Sequence, residues 1–332
     1  MLSIYGARGD VRRIAFRLFG LLLCVTGVGS VSAQQIVNDP GANTSVNRPA
    51  FALESGPTIA IDSAHNNYHT IDNRYEPFAL LLRNDGFRVV DSKSPFTSAY
   101  LAAFKVLVIA NARSSARQSD GISAPSSAFS QAEIDAVKDW VFRGGALLLI
   151  ADHHPFAASA RDLALAFGFQ FEDGVVARDP VDGRPDIFAV ADGTLRDDVV
   201  TGGRSEDQRV TALRTFTGSG FRSPPTARPI IVFPSGFKFH QCGLPCPPGA
   251  PESDAAGYQQ GAVMPFGKGR VAVFGEAAMF SAQEMVYPSE TPYRFGFDAA
   301  GAEQNKQFIL NVVHWLAGVL PDPCPKCGSK RR

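Results

Sequence analysis

The chain lacks excess charge of either sign: 32 basic and 32 acidic side chains give a formal net charge of zero. Without a basic surplus it carries no electrostatic footprint for phosphate backbones, which argues against nucleic acid as a partner. Several motifs that mark whole classes of chemistry are also missing. No Gly-rich loop follows the first buried strand, so neither a nucleotide nor a flavin cofactor is expected. No G-x-S-x-G elbow occurs, which disfavours ordinary serine-hydrolase chemistry. The metal-binding spacing H-E-x-x-H is absent as well. There is no internal repeat. Beyond the N-terminus no second long apolar run occurs, so no membrane span is expected in the mature chain.

What is present begins with Arg8, Arg12, Arg13 and Arg17, followed by the largely apolar run Leu18 to Val28 and the small-residue exit Val31, Ser32, Ala33. That is the layout of a secretory signal over residues 1–33, with cleavage after Ala33. Its apolar run is well short of the ~20 residues a spanning helix needs. The mature protein is therefore expected outside the cytoplasm, periplasmic or extracellular. Cys24 falls in the discarded peptide, leaving Cys242, Cys246, Cys324 and Cys327. In an oxidising compartment these read as disulfide candidates with three possible pairings. The knuckle Cys324-Pro-Lys-Cys327 keeps a tetrathiolate zinc site as the competing reading.

Residues 34–55, rich in Asn, Pro, Gly and Ser, read as a disordered leader. A single elaborated domain is expected over 56–319, followed by a Cys-containing tail at 320–332. Its opening strand, Ile59 to Ile61, is a short apolar run that changes abruptly to Asp62, Ser63, His65, Asn66, Asn67 and His69. A helix follows over Arg74 to Asn84, ended by Asp85-Gly86, then a strand at Phe87 to Val90. Lys105 to Ala110 is a third strand, running into Asn111. Arg113 to Phe129 is a Ser-rich loop long enough to be a lid. Ser130 and Glu133 form a capping box that opens a helix to Phe142. Ala146 to Ile150 is a buried strand leading into Asp152, His153, His154 and Pro155, with a helix over Ala157 to Phe167. Phe169 to Val176 reads as one strand, residues 177–229 as a mixed insertion with some β-structure, and 238–256 as the cysteine loop. Ala262 to Pro265 and Arg270 to Phe274 flank a Gly-Lys-Gly turn and form a hairpin ending at Glu276. Asn305 to Ala317 is the last helix. This strand–helix alternation implies an α/β protein, a mainly parallel sheet with helices on both faces plus the antiparallel hairpin.

Three segments resemble the class I glutamine amidotransferase-like superfamily: IAIDSAHNNYHTIDNRYEPFALLLRNDGFRV, AEIDAVKDWVFRGGALLLIADHHP, and GKGRVAVFGEAAMFSAQ with NKQFILNVVHWLAG. The second is similar to the trehalose-utilisation-like branch, and the third to exported members without an assigned function. The resemblance implies a flavodoxin-like three-layer sandwich; the insertion from Ala177 is poorly matched. Family enzymes use a nucleophilic cysteine at a strand-to-helix elbow, and here no mature cysteine follows a buried strand. Ordinary glutaminase chemistry is therefore not expected.

Functional groups in open α/β sheets gather beyond the carboxyl ends of strands, beside the reversal of strand order. Asp62, His65, His153, His154 and Glu276 are accordingly the catalytic candidates. Asn66, Asn67, His69 and Asn111 are the candidates for holding substrate. Imidazoles and carboxylates can take a divalent ion, for which Asp62, His65 and His154 are the proposed ligands. Without metal, an Asp–His pair serves as general base. Each residue also has a structural reading. Asp62 can cap the following turn, Glu276 can accept backbone amides, and one of two adjacent histidines leaving an extended strand must point away. His240 is as readily solvated as a ligand, and His314 reads as a core-edge residue. The functional expectation is a hydrolase, with or without metal, for a small polar or carbohydrate-like molecule. The alternative is a non-catalytic module that binds a ligand or a partner of the cell envelope.

Overall fold

The computed structural model describes residues 35–114, 126–179, 185–244, 246–286 and 291–322. The proposed signal segment, most of the Ser-rich loop, and Cys324 and Cys327 lie outside the described residues.

Three apolar runs form the centre: β1 (Thr58–Asp62), β3 (Val106–Ala110) and β4 (Ala146–Ile150), with β2 (Arg88–Ser92) at the edge. Between and after them run α1 (Glu76–Asn84), α2 (Gln131–Phe142) and α3 (Phe156–Ala166). The hairpin β5 (Gln259–Phe266) and β6 (Gly269–Phe274) and the last helix α4 (Asn305–Ala317) complete the frame. The sheet order is β2-β1-β3-β4-β6-β5, within nine strands among the described residues. Every pairing from β2 to β6 is parallel, and only β5 runs antiparallel to β6.

Alternation along the buried strands explains why both sheet faces are covered. Ile59 and Ile61, Val106 and Val108, Leu148 and Ile150 pack in one apolar cluster with Phe78, Leu81 and Leu82 of α1 and Phe308 and Val312 of α4. Ala60, Leu107, Ile109, Leu147 and Leu149 point the other way, to Ile134 and Val137 of α2 and Leu163 of α3. A strand buried on both faces has no polar side to spare, hence its continuous apolar run.

The leader differs from expectation. Gln35–Asn38 is a strand, antiparallel to Ala282–Val286, which pairs in turn with Tyr293–Gly296. Its Ile36-Val37 pair suits an extended strand, a short signal that the surrounding Asn, Gly and Pro obscure. Phe51 packs edge-on against Phe87, with ring centroids 5.1 Å apart. Its carbonyl oxygen lies 2.3 Å from where a Cβ on Gly86 would sit, at φ +91°, so only glycine ends α1 there. Nearby, Asp85 accepts the Ala50 amide at 2.8 Å and pairs with Nε2 of His314, both side chains wholly buried. His314 is thus a core residue tying α4 to the end of α1.

The single strand expected at Phe169 to Val176 is two, Gln170–Phe171 and Val175–Arg178, separated by a turn carrying Glu172 and Asp173. Val175–Arg178 pairs with Phe237–His240, and that strand with Glu252–Asp254. The insertion contains the antiparallel pair Asp186–Ala189 and Ala212–Thr215. Among the described residues no helix is long and apolar enough to cross a membrane.

Candidate active-site cleft

Strand order reverses between β1 and β3, and a cleft of about 1240 Å³ opens beyond the carboxyl ends of β1, β3 and β4. Its inner wall holds Tyr68, His69, Asn111, Asp152, His153 and His154. Its outer wall comes from the turn at Asp173 and from the cysteine loop, where a disulfide joins Cys242 to Cys246.

The Asp62–His65 pair forms but does not face this cleft. Nδ1 of His65 bonds both oxygens of Asp62, at 3.0 and 2.9 Å, and Nε2 bonds Glu133 at 2.9 Å. The ring is packed between Phe96 and Phe129, with centroids 4.6 and 4.8 Å away. Burial lowers the pKa of His65, but bonds and charge from Asp62 and Glu133 outweigh it and the net shift is upward. Glu133 is pushed up by burial, yet bonds from Ser130, His65 and Phe96 hold it down at about 2. An imidazolium clamped by two carboxylates donates from both nitrogens, so it keeps no lone pair for catalysis or a metal. His65 and Asp62 are structural. The helix-capping Glu133 is their third member.

Asn66 and Asn67 shape the turn and do not line the cleft. Asn67 accepts the His65 amide at 3.1 Å and donates to the Ala110 carbonyl at 3.3 Å. Asn66, at φ +49°, lends its carbonyl oxygen to Nε of Arg113 at 2.9 Å. Glu276 is completely buried, accepting the amides of Ala278 and Met279 at 2.8 Å each. Burial, reinforced by Asp152, raises its pKa well above the carboxylate range. It caps a short helical turn behind the cleft wall and reaches no substrate space.

The remaining candidates converge, and their partners fix which nitrogen carries the proton. The Asp152 amide donates to Oδ1 of Asn111 at 2.9 Å, which turns the Asn111 amino group toward Nδ1 of His69, 3.1 Å away. His69 therefore accepts at Nδ1 and offers Nε2–H as a donor, with no protein partner among the described residues. Burial first, then Arg74 and His153, lower its pKa to about 3, so it is neutral near neutral pH. Asn111 holds this relay from a left-handed backbone, φ +50°. Asp152 is itself occupied, accepting the amides of His153 at 2.7 Å and Ala277 at 3.4 Å.

His153 and His154 both line the cleft, contrary to the expectation that one must turn away. The alternation rule holds for extended chain, and β4 ends at Ile150 with residues 153–155 in a turn. His153 donates Nδ1–H to the His154 carbonyl at 2.8 Å. His154 donates Nδ1–H to Asp173 at 2.9 Å. In its neutral form each ring is thereby left with an acceptor lone pair at Nε2. Asp173 was not legible as a partner, because it lies 19 residues on in a turn without periodicity. Arg74 and Arg113 also line the cleft and were not singled out as site residues. His240 lies off this wall, with Nδ1 3.8 Å from Glu252.

Of the proposed ligands, His154 lies on the cleft apart from the Asp62–His65 pair, and the described residues contain no group of three or more His, Cys, Asp or Glu placed to hold an ion. The donors present thus do not fit a divalent metal. Cys242, in its disulfide, offers the cleft no thiol. The arrangement supplies two acceptor imidazoles, one of them oriented by a carboxylate, and one neutral donor imidazole. That set can take a proton from water and hydrogen-bond an oxygen gaining charge.

No family model matches the chain, and no curated protein sequence matches it. Among solved structures, the N-terminal domain of mmIFT52 is 15% identical and superposes with a TM-score of 0.55, covering 78% of this chain and 97% of that one. A protein described as ThuA-like from Bacteroides uniformis ATCC 8492 is 11% identical (TM-score 0.43, 83% and 94% covered). A protein from Thermoplasma acidophilum, described as part of a GMP synthase, is also 11% identical (TM-score 0.40, 80% and 96% covered). The last two superpose too loosely to carry an argument. At these identities the likeness concerns architecture alone, and what it establishes is an α/β fold.

Proposed function

We propose that this protein is an exported hydrolase on a flavodoxin-like, amidotransferase-like scaffold, and that it activates water directly where cysteine-dependent relatives form a covalent intermediate. The observation that carries the reading is the His154–Asp173 pair at the cleft, 2.9 Å apart, with Nε2 of His154 left as the free acceptor. In the proposed reaction Nε2 takes a proton from water as the oxygen attacks, while Asp173 retains the Nδ1–H bond and steadies the imidazolium that forms. The same proton then passes to the leaving group. His69, neutral and donating from Nε2, hydrogen-bonds the substrate oxygen on which negative charge grows. His153 accepts a hydroxyl of a small polar or carbohydrate-like substrate.

The strand order, second-first-third-fourth-fifth over the parallel strands, is that of flavodoxin-like sheets and supports the finer fold assignment. Export is supported by the tripartite N-terminus and by the Cys242–Cys246 disulfide, a bond suited to an oxidising compartment. The test is a panel of esters, amides and glycosides offered to the mature chain and to His154→Gln. Hydrolysis of at least one class that is lost in the variant is expected. No hydrolysis by the wild type, with retained binding of a panel member, would instead identify a non-catalytic binding module.

A further inference from the structure

Two cations in the cleft lack the counter-charge that the protein supplies elsewhere. Most of its other half-buried arginines are matched: Arg178 with Asp186, Arg228 with Asp198, and Arg270 with Asp322. Arg74 and Arg113 are half-buried on the cleft wall, and neither has an ion-pair partner among the described residues. Arg74 lies flat over Tyr68, its guanidinium carbon 3.9 Å from the ring centroid, and its Nε is buried without a hydrogen bond. Arg113 sits 5.7 Å from the same ring, with Nε committed to the Asn66 carbonyl at 2.9 Å. Both forks are therefore oriented, by an aromatic plate and by a backbone oxygen, while their terminal nitrogens remain available.

No nearby acid among the described residues pairs with them, and each has another partner. Asp152 accepts two backbone amides, Asp173 holds His154, and Glu172 accepts the Tyr258 hydroxyl at 3.3 Å. Nε2–H of His69 adds a neutral donor to the same wall. Removing a guanidinium from bulk water without a partner is costly, and planar forks match the oxygens of carboxylates and phosphates. We propose that Arg74 and Arg113 form an oxyanion-binding subsite beside His69, so that the substrate is an acidic molecule bearing a carboxylate or phosphate group. This deepens the assignment of the cleft as a substrate site and rests on it.

Calorimetric titration of the mature chain with inorganic phosphate and, separately, with glucuronate tests the subsite without requiring turnover. Wild type should bind at least one. Arg74→Gln and Arg113→Gln should each weaken that binding about tenfold or more, the scale of one charge-assisted hydrogen bond. Arg143→Gln, at an exposed helix end paired with Asp139, should leave it unchanged. Unaltered melting temperatures in all three variants exclude misfolding as the cause. Binding of phosphate alone assigns a phosphoryl group, and binding of glucuronate alone assigns a carboxylate. Failure to bind either, or binding indifferent to both cleft substitutions, overturns the subsite. If such a chain still hydrolyses neutral substrates, the hydrolase reading survives. If the anions bind through the arginines and no bond is cleaved, the subsite survives and that reading falls.

Discussion

His65 and His154 each lean on an aspartate through Nδ1, and the fate of the other nitrogen separates their roles. Nε2 of His65 ends on Glu133 inside a phenylalanine pocket, whereas Nε2 of His154 opens on the cleft. His65→Ala removes the cation between buried Asp62 and half-buried Glu133 and is expected to cost roughly 3 kcal/mol, read by urea denaturation. His154→Gln touches no such network. It should leave stability within about 0.5 kcal/mol while lowering turnover by about 10²- to 10⁴-fold, the usual range for a lost general base. A His154 variant that loses stability as His65→Ala does would contradict this division. From sequence this division was not legible, since the third partner of Asp62–His65 lies 68 residues away and Asp173 lies 19 residues beyond His154.

The elements differ in how openly their residues declare them. The capping box at Ser130 and Glu133 was readable and forms as expected, because both partners lie within one turn. Ser130→Ala should cost about 1 kcal/mol in chemical denaturation. The apolar strands were readable too, their burial on both faces leaving no polar positions. The turn carrying Asp173 and the loop carrying Cys242 have no such periodicity, and only the folded sheet brings them over His154. A Cβ at Gly243 would lie 3.3 Å from Cδ2 of His154. Gly243→Val is therefore expected to push on the imidazole and reduce turnover while the melting temperature stays close to wild type. Unchanged kinetics in that variant would show that the loop does not bear on the His154 ring.

Across the whole molecule the shifted groups pull on stability from both sides of neutral pH. Buried Glu276, with its raised pKa, contributes fully below its ordinary 4.5 and loses that contribution as pH climbs. His65 has a raised pKa, so its contribution is complete below about 6.5 and fades as pH climbs through its folded value. Glu133, held at about 2, contributes fully above its ordinary 4.5 and loses that contribution as pH falls toward 2. His69 is neutral when folded, so its protonation in the unfolded chain erodes stability as pH drops from 6.5 toward about 3. Urea denaturation across pH 4 to 9 should thus show a loss on the alkaline limb, to which Glu276 and His65 both contribute. It should also show a gain of His69→Asn relative to wild type that grows as pH falls below 6.5. A profile flat across that range would refute these assignments. The cleft's position at the reversal of strand order was legible from the run of strands and their polar ends. Its contents were not, since the sheet collects Arg74, Arg113 and Asp173 from segments whose local pattern says nothing of one another. Nitrogen-15 shifts of the histidine rings in the folded protein test the account most directly. The account predicts that neutral His154 and His153 carry their proton on Nδ1, and that His69 carries it on Nε2 and stays neutral at pH 5. A neutral His154 protonated at Nε2, or a His69 that titrates near 6.5, would contradict it.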